Sequence, residues 1–363
     1  MKKIKGFEKG MGIGGWLTNY KRFNVLPDEW RMPITVGDME HFMSYITEDD
    51  VRRIAEMGFD HIRVGFDQIV LESEPYVYRN EIISLLKSFV SWCDSYGLTP
   101  VLNMHKAIGN YCDIPEKVTL LENEELQRRF IALWLRLEDE LAENDGVMFE
   151  LLNEVRDVDP ELWNSLAAKT LDAIRKKNTS RKIIIGSTCW NSPDTLDRLR
   201  IYDDENVIYT FHIYEPFEFT HQRGVLQSRT LYYNRKMEYP SDDIERYRDY
   251  KRLVDGENDP YPEYDRIDID YLRDKMKGAS DFVKAHPEKI LWLGEFGTIR
   301  HADIVSRENY MRDVIKVALE SDIPYCVWNY LSTPNDGNRF SLVDDDTRSI
   351  LSSRLLSVLL GGE

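Results

Sequence analysis

The sequence predicts an α/β chain closed as a single (β/α)8, or TIM, barrel, and three observations point there. Eight short apolar runs alternate with longer amphipathic ones along 363 residues, and strict alternation of strand and helix builds a parallel sheet covered by helices. Eight repeats suit a closed barrel better than an open doubly wound sheet, and such barrels reach this length as one unit. An open sheet would also call for a Gly-rich phosphate turn between an early strand and its helix. "GMGIGG" (10–15) is not that turn, because it precedes or starts the first strand and no helix follows it.

The strands read, in order, "GIGGWL" (12–17), "HIRVGF" (61–66), "TPVLNMH" (99–105), "VMFELLNE" (147–154), "KIIIGST" (182–188), "NVIYTFHIY" (206–214), "ILWLGEFG" (290–297) and "IPYCVWNY" (323–330). Helical patterns separate them. "TEDDVRRIAEMG" opens on Thr47 as N-cap, carries acids in its first turn and closes on Gly58. "NEELQRRFIALWLRLEDELAE" lines up Leu126, Phe130, Leu133, Leu137 and Leu141 at a 3–4 spacing. "DPELWNSLAAKTLDAIRKK" starts with Asp159 as cap and Pro160 at the first helical position, and "SRENYMRDVIKVALES" precedes the last strand. One segment breaks the rhythm. Residues 215–265 insert roughly 50 residues after the sixth strand, where such a loop ordinarily takes about 2–6. The insert carries seven of the 20 tyrosines. Its plain reading is a surface excursion; because in a barrel it opens on the catalytic face, a lid or a cleft wall within a catalytic barrel spanning 1–363 is the functional one.

Composition limits what such a barrel can do. A hydrophobic fraction of 42% with 12% aromatics belongs to a folded chain. A formal charge of -17 argues against nucleic acid and anionic membrane as partners and fits a neutral or cationic small molecule or polymer. The N-terminal "MKKIKGFEKGMGIGG" has a signal peptide's lysines without an apolar segment behind them, so the chain as written is expected in the cytoplasm, or secreted if a leader has been trimmed. No run of about 18 apolar residues suggests a membrane span. Cys93, Cys112, Cys189 and Cys326 lie far apart with no C-x-x-C pair, so reduced and mostly buried thiols are expected rather than disulfides or a zinc site.

In this fold the C-terminal strand ends converge on one mouth. They supply Arg63, His105, Asn153 with Glu154, His212 with Tyr214, Glu295 and Trp328. A carboxylate ending an apolar strand, as Glu154 does after "VMFELLN", is costly to desolvate unless its site needs it. Two such carboxyls with histidines, a tyrosine and an indole between them match glycoside hydrolysis, in which one carboxyl protonates a leaving oxygen and the other attacks or stabilises an oxocarbenium-like centre. The indole can stack on a sugar's apolar face. Glu150 shares the parity of Glu154 and is expected inside the barrel as a partner for a cation such as Arg63. Each residue alone has a plainer reading, as an ion pair, an interior histidine or a core tryptophan; their joint occurrence at strand ends favours the catalytic one.

With these residues assembled, the chain resembles glycoside hydrolase family 5, the cellulase family. The resemblance runs in order through "GIGGW", "GFDHIRVGFD", "MHKAIG", "FELLNE", "FHIYEPFEFTHQ", "GEFG" and "VWNY", and so spans nearly the whole chain. It implies a retaining endo-β-1,4-glucanase with no metal or organic cofactor, acting as a monomer on β-linked glucan. Glu154 would be the general acid/base and Glu295 the nucleophile. Asn153 would bond the sugar 2-hydroxyl, Arg63 and Tyr214 would hold Glu295 ionised and oriented, His105 and His212 would line the reacting subsite, and Trp328 would form its floor. The family often has a His-His pair after the third strand; here Lys106 follows His105, which leaves mannan, mixed-linkage glucan, xyloglucan and short oligosaccharides as alternative substrates.

Three other readings compete. Lys106 at a strand end could form a Schiff base, as in an aldolase. A non-catalytic glycan-binding barrel would be expected to have lost one of the carboxyls. A divalent-metal barrel would draw on "VDDDTR" (343–348) or "DGEND" (255–259), which read better as solvated turns.

Overall fold

Strands β1 (Lys9–Leu17), β2 (His61–Asp67), β3 (Thr99–Lys106), β4 (Met148–Glu150), β5 (Lys182–Gly186), β6 (Val207–Ile213), β7 (Ile290–Phe296) and β8 (Tyr325–Val327) close into one parallel barrel, with β8 pairing back onto β1. The computed structural model describes residues 3–20, 36–112, 117–226, 228–258, 261–333 and 336–362. All eight expected strands are present. β4 and β8 are shorter than their apolar runs because the chain leaves regular pairing before the polar residues at the mouth.

The helices follow their end signals. α1 (Glu48–Met57) is capped by Thr47, whose backbone N–H donates to Asp50 Oδ2 at 2.9 Å, and it stops at Gly58, where φ is 102°. α2 (Asn80–Ser95) packs on the barrel beside it. In α3 (Glu124–Glu140) the cap is Asn123, which accepts from Glu125 and Leu126 N–H. Phe130, Leu133 and Leu137 of its stripe, with Leu141 just beyond, are buried, and Leu126 packs partly buried at the edge. Each fully buried side chain of this kind contributes about 2 kcal/mol. α4 (Pro160–Arg175) has Asp159 as cap and Pro160 in its first turn. α5 (Ile269–Lys275), α6 (Lys277–Ala285), α7 (Ile304–Leu319) and α8 (Ser353–Leu359) complete the outer layer. Between β5 and β6 a left-handed turn at Cys189, Trp190 and Asn191 leads into the 3-10 helix Pro193–Arg198.

The core has two parts. A large shell lies between strands and helices. A smaller plug fills the barrel's lower half, formed by Phe7, Val101, Met148, Ile184, Ile208, Ile290, Trp292 and Cys326. Above this plug the interior turns polar. The 215–265 insert contains helices Phe217–Thr220, Ser228–Tyr233 and Ile244–Tyr250, and a bridge from Ser241 to Ile267 returns it to the barrel. Tyr239, Tyr247 and Tyr250 are buried within it, so part of its tyrosine content serves its own packing. No helix among the described residues is long and apolar enough to cross a membrane. Cys93, Cys112 and Cys326 are buried free thiols, and Cys189 is a partly exposed one.

Candidate active site

Arg63 is the foundation of the mouth. It points inward from β2 and is fully buried. Its Nε donates to Glu150 Oε2 at 2.5 Å and its Nη2 to Glu150 Oε1 at 2.8 Å and Asn153 Oδ1 at 2.7 Å, while Nη1 donates to Glu295 Oε1. Four of five guanidinium donors are thereby aimed at three partners, a fork that lysine could not reproduce. Glu150 takes the structural role expected of it: paired at the end of β4, it helps compensate the buried Arg63 charge.

Glu295 lies near the end of β7. Burial alone would raise its pKa, but the Arg63 guanidinium beside it outweighs that and holds it at about 2. Tyr214, just beyond β6, donates its hydroxyl to Glu295 Oε2 at 2.9 Å. Burial, and then the charge on Glu295, push the phenol pKa far up, so the hydroxyl keeps its proton. Glu295 is thus ionised and fixed at both oxygens.

Glu154 is held differently. β4 ends four residues before it. The chain continues through Leu151 N–H to Ile184 O at 3.0 Å and Asn153 N–H to Met104 O at 2.9 Å, and Glu154 itself adopts φ 42°. L-residues seldom visit this region, at a cost of about 1–3 kcal/mol. The parity expected for a continuous strand therefore fails beyond Glu150, and the left-handed step at Glu154 sets where its carboxyl lies. That carboxyl is 20% exposed and accepts from His212 Nδ1 at 2.9 Å. Asn191 Nδ2 meets His212 Nε2 at 3.3 Å from the other side, which leaves the imidazole proton on Nδ1 facing Glu154. Burial first, and then the Glu295 charge, raise the Glu154 pKa against the hydrogen bond from His212. An oxygen of Glu154 and one of Glu295 lie within 4.8 Å of each other.

His105 and Trp328 stack, with ring centroids 5.6 Å apart and planes 4° from parallel. Asn103 Oδ1 takes the Nδ1 proton of His105 at 3.0 Å, so Nε2 is an acceptor. Burial and then the Lys106 charge keep this ring neutral. The indole has room only because β1 carries glycine opposite it: a Cβ on Gly14 would stand 2.5 Å from the Trp328 ring, and one on Gly12 2.9 Å.

These groups line a cleft of about 830 Å³ that includes His105, Glu154, His212, Tyr214, Glu295 and Trp328. Arg63 and Asn153 sit beneath it, reached through their partners. The insert contributes Glu215, Phe217, His221, Leu226 and Arg229 to its wall. Lys106 is buried and is not among the lining residues. The Schiff-base reading loses its nucleophile on that ground. In the "VDDDTR" run Asp344 accepts from Asp346 and Thr347 N–H and Asp345 pairs with Arg300, so these acids serve a turn and an ion pair. Asp259 of "DGEND" lies outside the described residues.

Sequence reasoning missed three groups in the cleft. Trp190 is 43% exposed, held by its indole N–H to Cys112 O at 2.6 Å, and its left-handed turn left no periodic signal. Cys112 Sγ accepts from Asn153 Nδ2 at 3.8 Å, while Arg63 holds the Oδ1 end of that amide. His221 sits inside "FHIYEPFEFTHQ", where its fixed spacing after Tyr214 was a usable clue. Thr220 Oγ1 donates to Tyr214 O at 2.5 Å, so it accepts from His221 Nδ1 at 3.0 Å and leaves Nε2 as an acceptor. Burial lowers the His221 pKa to about 3.

Residues 28–333 match the profile of the cellulase family, glycosyl hydrolase family 5. The chain belongs to glycosyl hydrolase family 5. It is 34% identical to Endoglucanase C of Acetivibrio thermocellus over 97% of its own length and 98% of that protein. It is likewise 34% identical to Endoglucanase C307 of a Clostridium species, with the same coverage. Among solved structures, a hyperthermophilic endo-β-1,4-glucanase in complex with substrate superposes with a TM-score of 0.74 at 24% identity, covering 98% of this chain and 97% of that one. As a family 5 member the protein is a glycosidase, and the paired carboxyls are the groups available for that chemistry. Glu154, His212 and Glu295 could each turn one ligand atom towards a common ion, but Arg63 already places a positive charge against Glu295 and opposes a second cation there.

Proposed function

We propose that the protein is a retaining endo-β-1,4-glucanase in which Glu295 is the nucleophile and Glu154 the acid/base. The observation that carries this reading is the Glu154–Glu295 pair: oxygens within 4.8 Å, one carboxyl held ionised and the other biased towards its protonated form. Retaining glycosidases place their carboxyl groups about 5–5.5 Å apart, whereas inversion needs about 6.5–9.5 Å to seat a water between them. In the first step Glu295 attacks the anomeric carbon while Glu154 donates its proton to the glycosidic oxygen, and the aglycone leaves. In the second, Glu154, now ionised, takes a proton from water that attacks the same carbon and releases Glu295. His212 steadies Glu154 between its two roles by donating to Oε1 and leaving Oε2 for the transferred proton.

The other residues bind the ring being cleaved. Asn153 would donate to the sugar 2-hydroxyl, His105 and His212 flank the ring, and Trp328 is its floor. The 34% identical endoglucanases, matched along their whole length, support β-1,4-glucan as the substrate class. The entire chain acts as one catalytic barrel, with 215–265 as a cleft wall. Proton NMR of the first product released from a cello-oligosaccharide tests the mechanism, which requires the β-anomer. A product panel from cellulose, lichenan, glucomannan, xyloglucan and cello-oligosaccharides tests the substrate. Internal cuts at β-1,4-glucosyl bonds are expected, and exclusive release of terminal sugars or a preference for mannan would overturn that assignment.

A further inference from the structure

Outside the catalytic pair, Arg307 is a buried charge with no ion pair among the described residues. This side chain is only 4% exposed, yet its one hydrogen bond runs from Nε to Thr298 Oγ1 at 3.2 Å. A guanidinium has five N–H groups, and burying one without an anion is costly. Its charged neighbours make matters worse. Burial first, and then Arg300, bring its pKa down to about 10, and the nearby Glu308 is engaged by Arg354 and Ser352.

Arg307 belongs to a larger basic cluster. Arg300 N–H donates to Arg339 O at 2.7 Å, bringing the segment after β7 against the segment after β8. Arg300 Nη1 and Arg339 Nε converge on a single oxygen, Asp345 Oδ2, at 3.1 and 3.5 Å. That Nε is buried without a proper hydrogen bond. His301 feels Arg223, Arg339 and Arg300 together. Asp345 is the acid that joins this group, and it is shared with Ser341 Oγ and Ser332 N–H. Arg300 and Arg339 thus share Asp345, Arg307 reaches the same post-β7 segment through Thr298, and Arg223 lies within reach of His301, in a chain of net charge -17; Asp344 and Glu308 are the other acids near the cluster. The cluster adjoins the cleft: Asn338 and Phe340, on either side of Arg339, both line it, as does His221, two residues before Arg223.

We propose that Arg300, Arg307 and Arg339 form an oxyanion-binding site at the cleft rim, taking a carboxylate or sulfate group. Guanidinium forks match the paired oxygens of such groups, and the buried Arg307 supplies a charge that solvent does not quench. Two sources share this chemistry: an acidic substituent on the glycan in the cleft, such as a uronic acid, and a free small anion. Anion binding here is independent of the glucanase assignment; only the glycan source rests on it.

The test uses the full chain. Thermal unfolding is followed while sodium sulfate, and separately sodium glucuronate, replaces sodium chloride at constant ionic strength, in the wild type and in the Arg300→Gln/Arg339→Gln variant. A saturable rise in Tm of several degrees is expected in the wild type and not in the variant. An equal rise in both, or no saturable rise, overturns the site. Arg307→Met should behave like the double variant, and if it fails to fold the double variant still decides. Source is read from kcat/KM on glucuronate-bearing relative to neutral β-gluco-oligosaccharides. A fall of about fivefold in that ratio in the variant assigns the site to a glycan substituent. An unchanged ratio with the Tm response retained in the wild type assigns it to a free anion.

Discussion

Glu154 and Glu295 share a functional group, and their neighbours separate them. Glu295 lies against Arg63 and Tyr214, while Glu154 faces a single imidazole and the like charge of its partner. The proposed mechanism requires Glu295 ionised and Glu154 protonated, so kcat/KM should trace a bell. Its acid limb approaches pH 2, and its alkaline limb lies above the ordinary glutamate value of about 4.3. Glu154→Ala should erase the alkaline limb and slow poor leaving groups about 100-fold or more, while aryl glycosides with activated leaving groups are cleaved at near the wild-type glycosylation rate; equal losses on both would contradict the acid assignment. Linkage gives a second consequence. A carboxyl whose folded pKa is raised costs stability once pH climbs from its unfolded value through the folded one. Glu154→Gln should therefore raise Tm at pH 7, and the gain should fade below about pH 4. A gain that grows as pH falls would reverse the sign assigned here. At this scale the sequence was legible where chemistry is singular: Arg63, Glu150, Tyr214 and Glu295 stand together as their types implied, and Glu154 reaches the same mouth by a backbone step the sequence did not show. Asn191 and Cys112 were not legible, because an amide behind a histidine and a thiol beside an asparagine leave no pattern until the fold joins them.

The elements carry the site by what they omit as much as by what they present. β1 holds the Trp328 floor by having glycine at 12 and 14. Gly14→Ala would drive a methyl into the indole, and displacement of about 1 Å at a reacting subsite can cost about 100-fold. We expect kcat/KM on an aryl β-cellobioside to fall by about that factor; an unchanged value would remove Trp328 from the reacting subsite. The turn at 189–191 presents Trp190 to the cleft without a hydrogen bond from its indole to either glutamate, while Asn191 beside it backs His212. Trp190→Ala should raise KM for cellohexaose about fivefold, equivalent to about 1 kcal/mol of lost ring contact, while leaving the aryl cellobioside nearly untouched. Parallel losses on both substrates would mean that the turn supports the fold rather than a distant sugar. Caps and stripes made α1, α3 and α4 readable, since Thr47, Asn123 and Asp159 are local signals. The left-handed turn after β5 and the step at Glu154 were unreadable, because non-glycine residues with positive φ are imposed by surroundings rather than by their own preference.

At the scale of the whole molecule, closure of the barrel is what brings position 63 to 295 and 154 to 212. Eight alternating runs were enough to foresee that closure, since a parallel strand needs a crossover and eight crossovers complete the ring. The insert at 215–265 was visible as an interruption, but not as short helices that pack several of their own tyrosines while lending Phe217 and His221 to the cleft. The central claim is that Glu295 becomes covalently bonded to the sugar. An activated 2-deoxy-2-fluoro-β-cellobioside should inactivate the enzyme in a time-dependent manner, and peptide mass spectrometry should place one fluorocellobiosyl group on Glu295, lost on reactivation with cellobiose as acceptor. Attachment to Glu154, or turnover of the inhibitor by inversion with no adduct, would contradict the account.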